Sequence, residues 1–148
     1  MKKLTQQQIQ LAIIHSDEAI LNQILTRLSP LPIEIVSAPE SGLIMMNSLD
    51  SCEEQFYLGE VLVTQAEIKY KTCMGYSMVI GDNHEKALCL AALEAVLQTD
   101  ERPLIDDLYK LLWKAWLKTE NELKTESSLS AATKVNFESM AEEEYLSK

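Results

Sequence analysis

The apolar positions of this 148-residue chain change their spacing along its length, and each change predicts an element. From residue 4 to residue 28 they recur at helical spacing, through Ile9, Ala12 and Ile13 and then Ala19, Ile20, Ile24 and Leu28. The stretch "SDEA" at 16–19 offers an N-cap between them, so two short helices are expected. Pro30 and Pro32 close that section. Residues 33–48, "IEIVSAPESGLIMMNS", read as two β-rich runs parted by Pro39, Glu40, Ser41 and Gly42, a hairpin signal. Residues 55–71 then alternate with period two over a length of roughly 50 Å at strand rise, which predicts a bulge at Gly59 or a change of partner. Residues 74–80 give a fourth strand.

The period then reverts to helical. Residues 83–98 are apolar around most of the circumference, as in a helix buried against a sheet. Pro103 suits the first turn of a long helix reaching about residue 124. "TESSLSAAT" at 125–133 reads as a linker and the remainder as an acidic tail with few apolar anchors, Phe137 among them. The expectation is one α+β domain over 1–148, with a four-stranded, mainly antiparallel sheet packed against helices. Two helices precede the sheet, a long helix follows it, and residues 125–148 form a linker and tail suited to docking on a partner.

Composition narrows the class. With 47% hydrophobic residues the body of the chain can bury a core without metals or disulfides. Cys52, Cys73 and Cys89 are widely spaced and odd in number, which suits reduced, buried thiols in a cytoplasmic protein. A net charge of −10 opposes binding to duplex nucleic acid and broad steering of an anionic nucleotide. No run approaches the roughly 20 apolar residues of a membrane span, and the glutamine-rich start does not read as a signal peptide. No metal site is expected.

Few residues stand out as chemistry. In unbroken alternation Glu60 and Thr64 share a face with Phe56, Leu58, Leu62, Ala66 and Ile68, and a carboxylate buried there would be a candidate acid or base. The competing reading is a bulge at Gly59 that turns Glu60 to water. His84 lies in the first turn of the buried helix, where imidazole can act in proton transfer or merely sit on a surface turn. Glu94 either is a core carboxylate that ties down a backbone group or a cation, or marks the narrow exposed edge of that helix. Lys110, Lys114 and Lys118 form a row that reads best as a solvated face. Tyr109, Trp113 and Trp116 widen the apolar face of the same helix, which makes them, with Phe137, candidate partner contacts. Gly81 followed by Asp82 and Asn83 is a hinge and cap rather than a phosphate loop, and no Ser-His-Asp, H-E-x-x-H or Walker pattern occurs.

Three stretches carry a resemblance: "GEVLVTQAEI" (59–68), "GYSMVIG" (75–81) and "ALCLAALEAVL" (87–97), with "ATKVNFESM" (132–140) as a closing segment. Together they resemble PhnG, the G-subunit family of the bacterial carbon–phosphorus lyase core complex. The likeness covers most of the chain from Phe56 and, more loosely, the strands from Ile33. The position before the first helix alanine, often histidine in that family, is Lys86 here.

The resemblance implies a subunit that works with the H, I and J subunits, closest to I, and with an ATP-binding-cassette-like L protein. In that system methylphosphonate is joined to the ribose C1′ of ATP and adenine is displaced, giving α-D-ribose 1-methylphosphonate 5-triphosphate. ATP is then a substrate of the complex, and the chain holds no cofactor of its own. Its part would be structural or site-shaping. The alternative from the residues alone is a stand-alone α+β module binding a phosphonate or nucleotide near Gly81.

Overall fold

The computed structural model describes residues 3–50 and 53–133. Helix α1 (Gln6–Ile14) begins at Thr5, whose hydroxyl accepts from the Gln8 N–H while the Gln8 side chain returns a bond to the Thr5 N–H. Helix α2 (Glu18–Leu28) follows after Asp17. That residue does not cap the helix with its side chain, which instead meets Lys118 at 2.5 Å on the last helix.

Three strands come next, β1 (Ile33–Leu49), β2 (Gln55–Tyr70) and β3 (Cys73–Ile80), then helices α3 (His84–Leu97) and α4 (Arg102–Ala132). Among the described residues the sheet is a three-stranded antiparallel meander in the order β1-β2-β3, one strand fewer than the alternation predicts. The missing strand is the expected hairpin at residues 39–42. Both apolar runs instead belong to β1 and pair in sequence along β2, from Ile33 opposite Tyr70 to Leu49 opposite Gln55.

The turn residues there are tolerated because β1 is an edge strand. Pro39 needs no ladder donor on an open edge, and the register is broken between Ser37 and Glu40 where it sits. Gly42 does not adopt a positive φ, which Gly59 and Gly81 do. A bulge of the expected kind lies at Gly59 (φ 133°), where the register shifts between Met46 and Asn47.

The sheet has one covered face. Thr64, Ala66, Ile68 and Tyr70 of β2, with Gly75, Ser77 and Val79 of β3, are buried toward α3. The alanines of α3 let it lie close. A Cβ added to Gly75 would sit 1.9 Å from the Ala91 carbonyl oxygen and 2.7 Å from the Ala95 nitrogen, so only glycine fits that crossing.

Helix α4 closes the other side of the core through Leu108, Leu112 and Ala115, packed on α1 and α2. Arg27 Nε donates to Asp107 at 2.5 Å and fastens α2 to α4. The expected linker does not form: α4 continues through residues 125–132, because Ser, Thr and Ala all tolerate a helix whose start is already fixed by packing. From residue 124 to 131 every side chain is exposed. Phe137 and the acidic tail lie outside the described residues.

Candidate functional site

The densest polar cluster is built from three separate elements. Ser41 of β1 and Thr64 of β2 are directly paired on the covered face of the sheet, and both point to the turn between β3 and α3. That turn opens at Gly81 (φ 91°), a left-handed conformation that glycine takes without strain. The Gly81 N–H still donates to the Leu62 carbonyl at 2.8 Å, so the ladder holds until the chain turns.

Thr64 is fully buried. Its hydroxyl donates to the Gly81 carbonyl at 2.7 Å and accepts from the Asn83 N–H at 3.0 Å. Ser41 Oγ lies 3.2 Å from Thr64 Oγ1 and donates to Asp82 Oδ1 at 2.5 Å. His84 Nε2 completes the group, 3.1 Å from Ser41 Oγ and 3.0 Å from Asp82 Oδ1.

A serine, a histidine and an aspartate are thus in mutual contact, although no local sequence pattern announces them. Their order is not that of a nucleophile, base and orienting acid. In such a relay the serine and the acid meet different ring nitrogens. Here both meet Nε2. A lone pair on Nε2 would face the Asp82 carboxylate, so the nitrogen carries its proton and donates. It therefore cannot take the proton of Ser41, which is already given to Asp82. Thr64 has likewise committed its single proton to Gly81. These bonds join β1, β2 and the turn before α3, and the arrangement acts as a latch between the sheet and the start of that helix.

A cavity of about 460 Å3 adjoins the latch, lined by Ser16, Glu18, Leu21, Asp82 and the first residues of α3. Its charges are unfavourable for phosphate. Glu18, Asp82 and Glu85 oppose the positive end of the helix, and the Lys86 ammonium donates to the Ile14 carbonyl at the end of α1. A second cavity of about 380 Å3 lies between α1, β3 and α3, with Glu94 on its wall. Glu94 is half-buried and ties down one backbone group: Oε2 accepts from the Tyr76 N–H at 3.0 Å on the free edge of β3, while Oε1 accepts from the Gln6 side-chain Nε2 at 3.2 Å. The structure therefore selects the first of its two sequence readings.

Two of the three candidate chemical residues, Thr64 and His84, stand together in the latch, and Glu60 does not join them. Glu60 is four residues further along β2, roughly 13 Å at strand rise, and is exposed. The reason differs from the one expected. The register runs unbroken from Ser41 opposite Thr64 to Met45 opposite Glu60, so the bulge at Gly59 has not rotated it. Glu60 keeps the face of Thr64, but there the two-stranded ladder has outrun β3, whose pairing stops at Val63.

Ser41 was hidden by its turn-like neighbours and Asp82 by its position as a cap residue. The pairing of Ser41 with Thr64 was the one signal able to reveal them, and it required the correct strand boundaries. Tyr109, Trp113 and Trp116 are half-buried and pack against the chain's own core. Of the lysine row, Lys118 is paired with Asp17, and all three lysines are exposed.

In comparison with protein families, the model described as phosphonate metabolism protein PhnG matches residues 5–142. The chain belongs to the PhnG family. The match takes in α1 and α2, which the sequence resemblance did not reach, and the closing segment at 132–140. No significant match is found among curated proteins. Membership of the PhnG family implies a role in phosphonate metabolism. No helix among the described residues is long and apolar enough to cross a membrane.

Proposed function

We propose that this chain is a subunit of the carbon–phosphorus lyase system, needed for transfer of methylphosphonate to the ribose C1′ of ATP with displacement of adenine. Its role is to shape and support a site whose reacting groups lie on other subunits, the I subunit closest, with H, J and the L protein as further partners. It brings no cofactor, and ATP is a substrate of the assembly. The chain works in the cytoplasm.

The observation that carries the reading is the geometry of the latch, in which Ser41 and Asp82 both meet Nε2 of His84. Family membership supports phosphonate metabolism. The cluster most like a catalytic set, Ser41, Asp82 and His84, brings its serine and its acid to the same ring nitrogen, which is not the geometry of a nucleophile, base and orienting acid. Glu60, exposed on a two-stranded ladder, lacks the enclosed surroundings that make a carboxylate an efficient acid or base.

The purified chain alone is expected to release no adenine from ATP, and addition of the H, I and L proteins to restore turnover with methylphosphonate. Adenine release by the isolated chain refutes the reading. Calorimetry of the isolated chain with ATP or methylphosphonate separates it from a stand-alone binding module: silence supports the subunit, and micromolar binding supports the module.

A further inference from the structure

Among the described residues, 42–49 of β1 and 55–62 of β2 have ladder partners only in each other, because β3 joins the register at Val63. The result is a two-stranded arm whose β2 side alone extends roughly 26 Å. Isolated two-stranded ribbons are marginal in water and normally polar on at least one face. This one is apolar on both. Leu43 and Leu62 lie on the face shared with Thr64, and Ile44 and Val61 on the opposite face. Leu43, Met45, Leu49, Tyr57, Leu58 and Leu62 are between 42% and 73% exposed. At about 200 Å2 per large side chain this is on the order of 700 Å2, close to one side of a standard interface.

The charge around these residues points to one kind of occupant. No Lys, Arg or His occurs between Arg27 and Lys69. The arm and its root carry only acids, Glu40, Glu53, Glu54 and Glu60 among them. Two copies meeting arm to arm would bring these like charges together around a drying apolar contact, which electrostatic complementarity opposes. An anionic lipid surface is disfavoured on the same ground.

We propose that the arm inserts into an apolar groove with a basic rim on a different protein, which covers both of its faces. This rests on the subunit reading above and adds the element through which the subunit docks. The recognition chemistry is apolar burial in the centre and acid-to-base pairing at the margin, which sets orientation and association rate.

Two full-length variants test it. Leu43→Ser/Tyr57→Ser/Leu58→Ser removes apolar contact, and Glu53→Lys/Glu54→Lys/Glu60→Lys reverses the rim. All the altered side chains are exposed, so each isolated variant should melt near the parent chain. Binding to the co-expressed H and I subunits is measured by surface plasmon resonance, and self-association by analytical ultracentrifugation. The apolar variant should bind at least ~100-fold more weakly, as loss of central anchors does. The charge-reversed variant should associate more slowly and lose the fall in association rate that the parent chain shows as salt is raised.

A parent chain that binds while the apolar variant binds equally well overturns the docking arm and leaves the subunit reading standing. Self-association of the parent chain that the apolar variant abolishes assigns the arm to a second copy and also overturns it. A parent chain that binds neither subunit overturns the subunit reading, and the arm with it.

Discussion

Replacing Gly75 by alanine tests the contact on which the sheet-to-helix packing depends. The backbone at Gly75 is not left-handed, so alanine adopts it without dihedral strain, and the effect comes from space alone. The new Cβ would lie 1.9 Å from Ala91 O, 2.7 Å from Ala95 N and 3.0 Å from Ala91 C, all backbone atoms of α3. No side chain can rotate away, so α3 must move off β3 by more than an ångström where Ala91 and Ala95 cross Gly75. Overpacking of a well-filled core costs about 1–3 kcal/mol, and rigid backbone opposition places this case at or above the upper end. The smaller entropy of the unfolded alanine chain returns about 0.4–1 kcal/mol.

The net loss is therefore about 2–3 kcal/mol, or about 5–10 °C in Tm for a domain of this size. Urea unfolding followed by circular dichroism reads it as a lower midpoint with an unchanged slope. Because the clashing atoms are backbone, adding Ala91→Gly should not rescue the variant. A loss below about 0.5 kcal/mol, or full rescue by Ala91→Gly, would refute the close-approach reasoning.

Thr64→Val keeps the shape but leaves the Gly81 carbonyl and the Asn83 N–H without their buried partner, so it should cost about 1–3 kcal/mol by denaturant titration, while Thr64→Ser should cost less. Burial pushes the Cys89 thiol up to about 12, so native protein at pH 8 should leave it unalkylated while unfolded protein reacts, as peptide mass spectrometry reads directly. Asp107 is held below its ordinary value by its bond from Arg27, and Glu101 below its own by bonds from Lys71 and Tyr70. A depressed carboxyl stabilises the fold above its unfolded value and loses that contribution as pH falls through the folded one, so stability should decline below about pH 4. Arg27→Gln should flatten that decline, and an unchanged acid limb would show that Asp107 takes no part.

Much of the architecture could be read along the chain where local pattern and tertiary context agree. The alanine-rich stretch gave α3 because its apolar positions encircle the helix, and the period-two run gave β2 with a bulge at Gly59. Residues 39–42 failed for a physical reason. Pro, Glu, Ser and Gly favour a turn in isolation, but an unbroken β2 offered the chain a ladder on both sides of them. The polar composition of residues 125–132 misled in the same manner, since α4 was already nucleated by packing upstream. The site was half legible. Thr64 and His84 could be named from their own positions, whereas Ser41 and Asp82 join them only through strand register. Glu60 was assigned the right face, and its exposure depends on where β3 ends, a boundary that alternation does not encode.

Thr64 has a consequence for how the molecule folds. Asn83 makes no cap bond with its own side chain, and the turn leading into α3 is gripped on both sides by a hydroxyl from β2, bonded to the Gly81 carbonyl and the Asn83 N–H. The start of the helix is thus specified by a residue 19 positions earlier in the chain rather than by its immediate neighbours. Nucleating α3 at its proper first turn then requires β2 to be in place. Helix and sheet should form in one cooperative step, with a correspondingly late, non-local transition state. The amide of Ala87, bonded to the Asn83 carbonyl in the first turn, should exchange with solvent at the rate of the sheet and not at that of a fraying helix end.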